Sequence, residues 1–147
     1  MLKILSEKPR QIGYGFIHHF FSSIGQTFLI SLFVPYFIND LNITNESWGY
    51  IYSAATLTSA LTIPFMSKYI DKVRIRYISV INGILICFFC LVGSQINNIA
   101  LLLFVIFGLR FTGQGMMILI SSTTIGRYFL ENRGKALSLS SFGLSFG

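Results

Sequence analysis

Four long apolar segments, separated by short polar connections, constrain the fold of this chain more than any other feature of its sequence. They cover residues 12–38, 48–69, 77–94 and 99–125, and a fifth begins near residue 136 and continues to residue 147. A helix needs roughly 20 apolar residues to cross a bilayer, and a backbone in lipid must satisfy its own polar groups. The sequence therefore predicts an all-α membrane fold with four transmembrane helices and the start of a fifth.

The composition argues against a soluble domain. Apolar residues make up 53% of the chain and charged residues only 11%, whereas a soluble domain is typically about 25% charged. So few charges do not cover a water-facing surface. We therefore expect most of the outer surface to contact lipid.

The basic residues follow an alternating pattern. Ten of the eleven Lys and Arg residues lie before the first segment or around the second and fourth connections. They are Lys3, Lys8, Arg10, Lys68, Lys72, Arg74, Arg76, Arg127, Arg133 and Lys135. By the positive-inside rule, this side is predicted to be cytoplasmic, with the N-terminus inside. Because this arrangement explains the net positive charge, a nucleic-acid partner is not expected.

The eleventh basic residue, Arg110, lies about midway along the fourth segment. A charge at that depth costs several kcal/mol unless it faces a cavity, a partner or an anion. All five acidic residues lie in or beside the connections: Glu7, Asp40, Glu46, Asp71 and Glu131. Arg110 is therefore predicted to bind an anionic substrate or a partner outside this sequence. The alternative is a structural arginine bonded to backbone carbonyls at a helix break.

Polar side chains accompany Arg110 at helical spacing. Gln114 lies one turn further on the same face and is predicted to line a substrate path. Gly113 and Gly115 are small enough to let neighbouring helices approach closely in lipid.

The first segment has a comparable polar stripe. It contains His18 and Gln26, and the deeper Gln26 is predicted to line the same path. His18 is a candidate for proton exchange, with an interfacial anchor as the alternative. Tyr52 is interpreted as an interfacial aromatic residue.

The sequence does not favour an enzyme. It has no paired carboxylates and no nucleophile beside a base in the apolar segments. No metal or cofactor is expected. Cys87 and Cys90 lie inside an apolar segment without other ligands, so buried side chains are the simpler interpretation.

Four stretches give the chain a family resemblance. Residues 64–76 resemble the loop signature between helices two and three of the major facilitator superfamily. Asp71, Lys72, Arg74 and Arg76 match its charged part, whereas Ser67 stands at the glycine position. Residues 109–115 resemble the helix-four signature, whose arginine corresponds to Arg110. Residues 25–28 and 127–139 are similar to bacterial members such as monocarboxylate and oxalate–formate carriers.

The resemblance implies a secondary transporter of a small solute in a bacterial inner membrane, working by alternating access. The implied substrate is an organic anion such as a carboxylate, with protons or another ion for coupling. Complete members have about twelve helices, so the chain is expected to be an N-terminal fragment of a longer protein. The implied site residues fall into two groups. Arg110, Gln114 and Gln26 would bind substrate, and Asp71, Arg74, Arg76 and His18 would serve coupling or gating.

Two alternatives remain open. One is an exporter of amphipathic compounds, which predicts a large apolar cavity and little dependence on Arg110. The other is a small four-helix membrane protein with a binding or scaffolding role.

Overall fold

The computed structural model describes residues 8–147, and all regular structure in that range is helical. The predicted all-α fold class is therefore confirmed. Lys3, which belongs to the predicted N-terminal basic group, lies outside these residues. The elements are α1 (Pro9–Ser22), a 3₁₀ turn (Ser23–Gly25), α2 (Thr27–Leu41), α3 (Asn45–Ile70), α4 (Ile75–Gly93), α5 (Ile99–Leu109), a π-helical segment (Arg110–Met117), α6 (Ile118–Tyr128) and α7 (Arg133–Phe146).

Within residues 8–147, three helical stretches are long and apolar enough to cross a membrane. They are Pro9–Leu41, Ile75–Gly93 and Ile99–Tyr128. The predicted second span forms α3, which has 26 residues but is less apolar because it carries many hydroxyl side chains. Thr58 and Thr62 donate hydrogen bonds to backbone carbonyls one turn earlier. Such bonds satisfy the hydroxyl groups within the helix itself.

The first predicted helix requires a correction. The sequence predicts one helix over residues 12–38, but the structure divides it into α1 and α2. Gln26 between them has an extended backbone, with φ −80° and ψ 153°. The fourth span is continuous but contains the π-helical segment. Both irregularities lie where these two helices cross.

Three apolar clusters hold the helices together. Ile12, Ile125, Phe129 and Ala136 join α1, α6 and α7. Ile51, Ala55, Leu102 and Ile106 join α3 and α5. Ile70, Met116 and Ile120 join the end of α3 to the fourth span. The outward-facing side chains are apolar too, among them Leu32, Leu61, Ile84 and Leu91. A continuous apolar exterior of this kind fits contact with lipid.

Arginines from three helices meet at one end of the bundle. Arg10 of α1, Arg74 and Arg76 at the start of α4, and Arg127 of α6 line one cavity. We call this end the basic end. The connections at the opposite end, between α2 and α3 and between α4 and α5, contain no Lys or Arg. The structure thus separates the charges as the alternating pattern predicts.

Candidate functional site

Arg110 begins the π-helical segment of the fourth span. A π-helical turn widens the helix and is frequently found at functional sites. Asn82 of α4 supports this segment, because its Nδ2 donates a hydrogen bond to the carbonyl oxygen of Thr112 at 3.0 Å. Asn82 is only 2% exposed. A buried amide with a backbone partner therefore fixes the irregular segment against α4.

The first and fourth spans cross with their backbones in close approach. A Cβ added at Gly113 would lie 2.6 Å from the nitrogen and 2.7 Å from the Cα of Gly25. Only glycine fits such a contact at both positions. Gly115 is also confined, since its added Cβ would lie 2.9 Å from Cγ1 of Ile63. The two glycines at the crossing bring Arg110 against the break between α1 and α2.

The guanidinium group of Arg110 lies among neutral partners. Its Nη1 donates hydrogen bonds to the carbonyl oxygen of Gly25 at 3.3 Å and to Oγ1 of Thr27 at 3.1 Å. Oγ1 of Thr27 is 2.7 Å from the hydroxyl oxygen of Tyr52. The Cζ atom of Arg110 is 5.2 Å from the centre of the Tyr52 ring, a cation–π distance. We call Gly25, Thr27, Tyr52 and Arg110 the Arg110 cluster.

The charge of Arg110 has no counter-ion within residues 8–147. The side chain is 8% exposed, and its Nε is buried without a hydrogen-bond acceptor among those residues. The one ion pair in this range joins Arg127 to Asp71 at the basic end. Thr27 is exposed, so the cluster is open on one side. The unsatisfied Nε is itself buried, so an anion reaches it only if the side chains around it move.

The two predicted glutamines flank the cluster but do not join it. Gln26 is the extended residue at the helix break, and Gln114 lies in the π-helical segment; both are half-buried. Neither side-chain amide makes a hydrogen bond within the described part of the chain. Their backbones therefore lie where the first and fourth spans cross, but their side chains have no hydrogen-bond partners within residues 8–147.

The predicted gating residues fall into two places. Asp71 accepts a hydrogen bond from Arg127 at 3.2 Å, and Arg127 also donates to the carbonyl oxygen of Ile70 at 2.9 Å. Arg74 and Arg76 instead line the cavity at the basic end. Asp71 thus pairs with the fourth span, and no ion pair joins it to either arginine of its own loop.

His18 lies about two helical turns after Arg10 in α1. Its Nε2 is 2.6 Å from Oγ of Ser79 in α4, and its Nδ1 is 2.9 Å from the carbonyl oxygen of Tyr14. The side chain is 6% exposed, so the imidazole packs inside the helix bundle. His18 bridges α1 and α4 below the cavity.

Four residues of these sites were missed or misread from the sequence. Tyr52 is a partner of Arg110, which corrects its interpretation as an interfacial aromatic. Thr27, Asn82 and Arg127 were not singled out as site residues. A single asparagine inside the apolar segment 77–94 is a signal that could have identified Asn82. Nothing in the spacing identifies the partners of Tyr52 and Arg127, because those contacts join distant parts of the chain.

Apolar helices with basic residues at one end and one buried arginine at mid-depth define a multi-pass α-helical membrane protein. The model of the Major Facilitator Superfamily matches residues 15–147. The chain belongs to that superfamily, which consists of secondary transporters rather than enzymes. Searches of curated proteins and of solved structures each gave no significant match.

Proposed function

We propose that this protein is a carrier of small organic anions and that Arg110 binds the anionic group of the substrate. The observation that carries the proposal is a buried arginine with no carboxylate partner in the described chain. Secondary transporters bind their substrates near the bilayer midplane. Arg110 lies about midway along the fourth span, at the depth where such a site belongs.

The hydrogen bonds of Arg110 leave one side of its guanidinium free. Both bonds come from Nη1, whereas Nε has no acceptor. A guanidinium has five N–H donors in a planar fork, and a carboxylate binds two of them in parallel. The edge formed by Nε and Nη2 would suit a carboxylate once alternating access opens the packing that buries Nε. Because an unsatisfied buried donor costs about 1–3 kcal/mol, binding there would recover that energy.

The structural alternative accounts for only part of this arrangement. Arg110 does bond to a backbone carbonyl at a helix break, that of Gly25. That bond uses only one nitrogen of the guanidinium. Elsewhere in the bundle, a neutral donor bonds to a backbone carbonyl at an irregular segment. Asn82, for example, supports the carbonyl of Thr112 without any charge. Burying a full positive charge in lipid costs more free energy than burying a neutral donor, which favours an additional role of Arg110 in binding.

The test is anion uptake into liposomes that contain the full-length protein. Radiolabelled acetate, lactate, oxalate and succinate are compared for the unaltered protein and for Arg110→Ala, Arg110→Lys and Arg133→Ala. Arg133→Ala is the matched control, because Arg133 is exposed and lies outside the cluster. We expect uptake of at least one carboxylate, a loss of more than about tenfold for Arg110→Ala, and no more than about a twofold loss for the control.

Folding is checked in every variant by far-ultraviolet circular dichroism of the purified protein. Arg110→Lys keeps the charge but not the planar fork, so we expect partial uptake. Two results contradict the proposal. One is no uptake of any of the four anions, and the other is undiminished uptake by a folded Arg110→Ala variant.

The orientation and the coupling belong to the same proposal. The positive-inside rule supports a cytoplasmic basic end in a bacterial inner membrane. Alternating access, driven by protons or another ion, would expose Arg110 to each side in turn. In this mechanism Gln26 and Gln114 line the path beside the cluster. His18, Asp71, Arg74 and Arg76 change partners as the halves move.

One observation favours the second candidate, an exporter of amphipathic compounds. An apolar cavity of about 490 Å³ lies between α2, α4 and α5. Its walls include Phe33, Phe89 and Val105, and it reaches Leu109 beside the cluster. The two functions make opposite predictions for Arg110→Ala. Preserved efflux of an amphipathic dye, without carboxylate uptake, would support the exporter.

A further inference from the structure

The cavity at the basic end has a composition that membrane topology does not explain. It measures about 660 Å³ and is lined by four arginines. The remaining wall consists of Gln11, Tyr14, Ile75, Thr124 and Tyr128. No carboxylate of residues 8–147 lines it. Such a volume lies within the range of small-molecule sites, roughly 300–1,000 Å³.

The choice between arginine and lysine is informative. Four lysines of the described chain belong to the basic end, and none of them lines the cavity: Lys8, Lys68, Lys72 and Lys135. Topology requires only positive charge, which lysine and arginine provide equally. Arginine differs by its planar fork, which matches the oxygen atoms of phosphate and carboxylate groups. The exclusive use of arginine in the wall therefore indicates recognition of an oxyanion.

The charges converge from three separate helices. Arg10 belongs to α1, Arg74 and Arg76 to the start of α4, and Arg127 to α6. Within residues 8–147, only Arg127 is paired with a carboxylate, that of Asp71, whose side chain is 74% exposed. The other three arginines have no acidic partner within residues 8–147. Like charges held around one cavity repel each other, and a multivalent anion between them removes that repulsion.

We propose that this cavity binds a phosphate-bearing anion that carries at least two negative charges. Basic pockets between membrane helices on the cytoplasmic side bind the head groups of anionic lipids such as cardiolipin. A soluble polyphosphate offers the same chemistry. Tyr14, Ile75 and Tyr128 supply apolar walls beside the charges. The site is separate from Arg110, which precedes Arg127 by about 25 Å along the helix axis.

The test compares two probes on the full-length protein purified in a neutral detergent. Retention of added cardiolipin is measured by native mass spectrometry, and binding of radiolabelled inorganic pyrophosphate is measured by equilibrium dialysis. The cavity variant is Arg74→Gln/Arg76→Gln. The matched control is Lys68→Gln/Lys72→Gln, which removes the same charge from the same end but leaves the cavity wall unchanged. All four side chains are exposed, so both variants should fold.

We expect the cavity variant to bind the recognised probe more than about tenfold more weakly, and the control to lose less than about twofold. Retention of cardiolipin alone identifies a lipid head group as the ligand. Binding of pyrophosphate, with or without cardiolipin, identifies a soluble anion. Equal losses of binding in the two variants would show that binding depends only on overall charge, which would overturn the proposal. Binding of neither probe would overturn it too. These measurements do not depend on transport, so their outcome is independent of the proposal that the protein carries organic anions.

Discussion

The fourth span carries arginines in two contrasting environments. At mid-depth, Arg110 is buried against neutral groups, and the backbones of Gly25 and Gly113 touch beside it. At the basic end, Arg127 is partly exposed and shares an open cavity with three more arginines. The comparison shows that depth decides how a cation is accommodated. In lipid a single charge requires close packing and dipoles, whereas near water several charges can share one space.

The largest effect is expected from the backbone crossing that holds the Arg110 cluster together. Gly113→Ala places a methyl group 2.6 Å from a backbone nitrogen of Gly25, which has no rotamer with which to move away. We expect a loss of about 3 kcal/mol or more in the free energy of unfolding. The measurement is denaturant unfolding in detergent micelles, followed by far-ultraviolet circular dichroism.

Gly83→Ala is the matched control for that change. Gly83 also lies in an apolar helix, but an added Cβ meets nothing within 4 Å. We expect its stability to be unchanged or slightly increased, since alanine favours a helix over glycine. Equal losses in the two variants would mean that the crossing is looser than the structure shows, and the contrast between the two environments would then fail.

A smaller effect is expected from the aromatic partner of Arg110. Tyr52→Phe removes the hydroxyl bonded to Thr27 but keeps the ring that faces the guanidinium. We expect a loss of about 1 kcal/mol in unfolding free energy. Tyr52→Leu also removes the ring, which should lower the unfolding free energy by about a further 0.5–1 kcal/mol. If both variants lose the same free energy, the ring does not stabilise the charge.

The sequence predicted those parts of the molecule that depend on local information. The helices follow from the length of each apolar segment, which is a property of neighbouring residues. Arg110 was identified because a charge inside such a segment is conspicuous whatever its partners are. The placement of arginines at one end followed from the alternation of charged and uncharged connections.

The parts that escaped prediction depend on contacts between distant residues. The break at Gln26 follows from the approach of Gly25 to Gly113, and neither residue signals that contact alone. Tyr52 lies close to Trp48 and Tyr50 in the sequence, which favours an interfacial role, whereas the fold places Arg110 beside its ring. Likewise, the partner of Asp71 lies 56 residues away, although two arginines follow Asp71 in its own loop.

The smallest effect is expected from the ion pair at the basic end. The side chains of Arg127 and Asp71 are 39% and 74% exposed, and exposed pairs contribute about 0.2–1 kcal/mol. We expect Asp71→Asn to lower the unfolding free energy by less than about 1 kcal/mol. Arg127→Gln should cost more, because it also removes the hydrogen bond to the carbonyl of Ile70.

A double-mutant cycle between these two substitutions isolates the pair itself. Its coupling energy should fall as salt rises from about 0.05 M to about 0.5 M, because exposed charges are screened. The coupling of Tyr52 with Arg110, measured in the same way, should stay constant over that range, since burial protects it from salt. A salt-independent Asp71–Arg127 coupling would place the basic end in a dry environment. That result would contradict the exposure of both side chains and the contrast between the basic end and the Arg110 cluster.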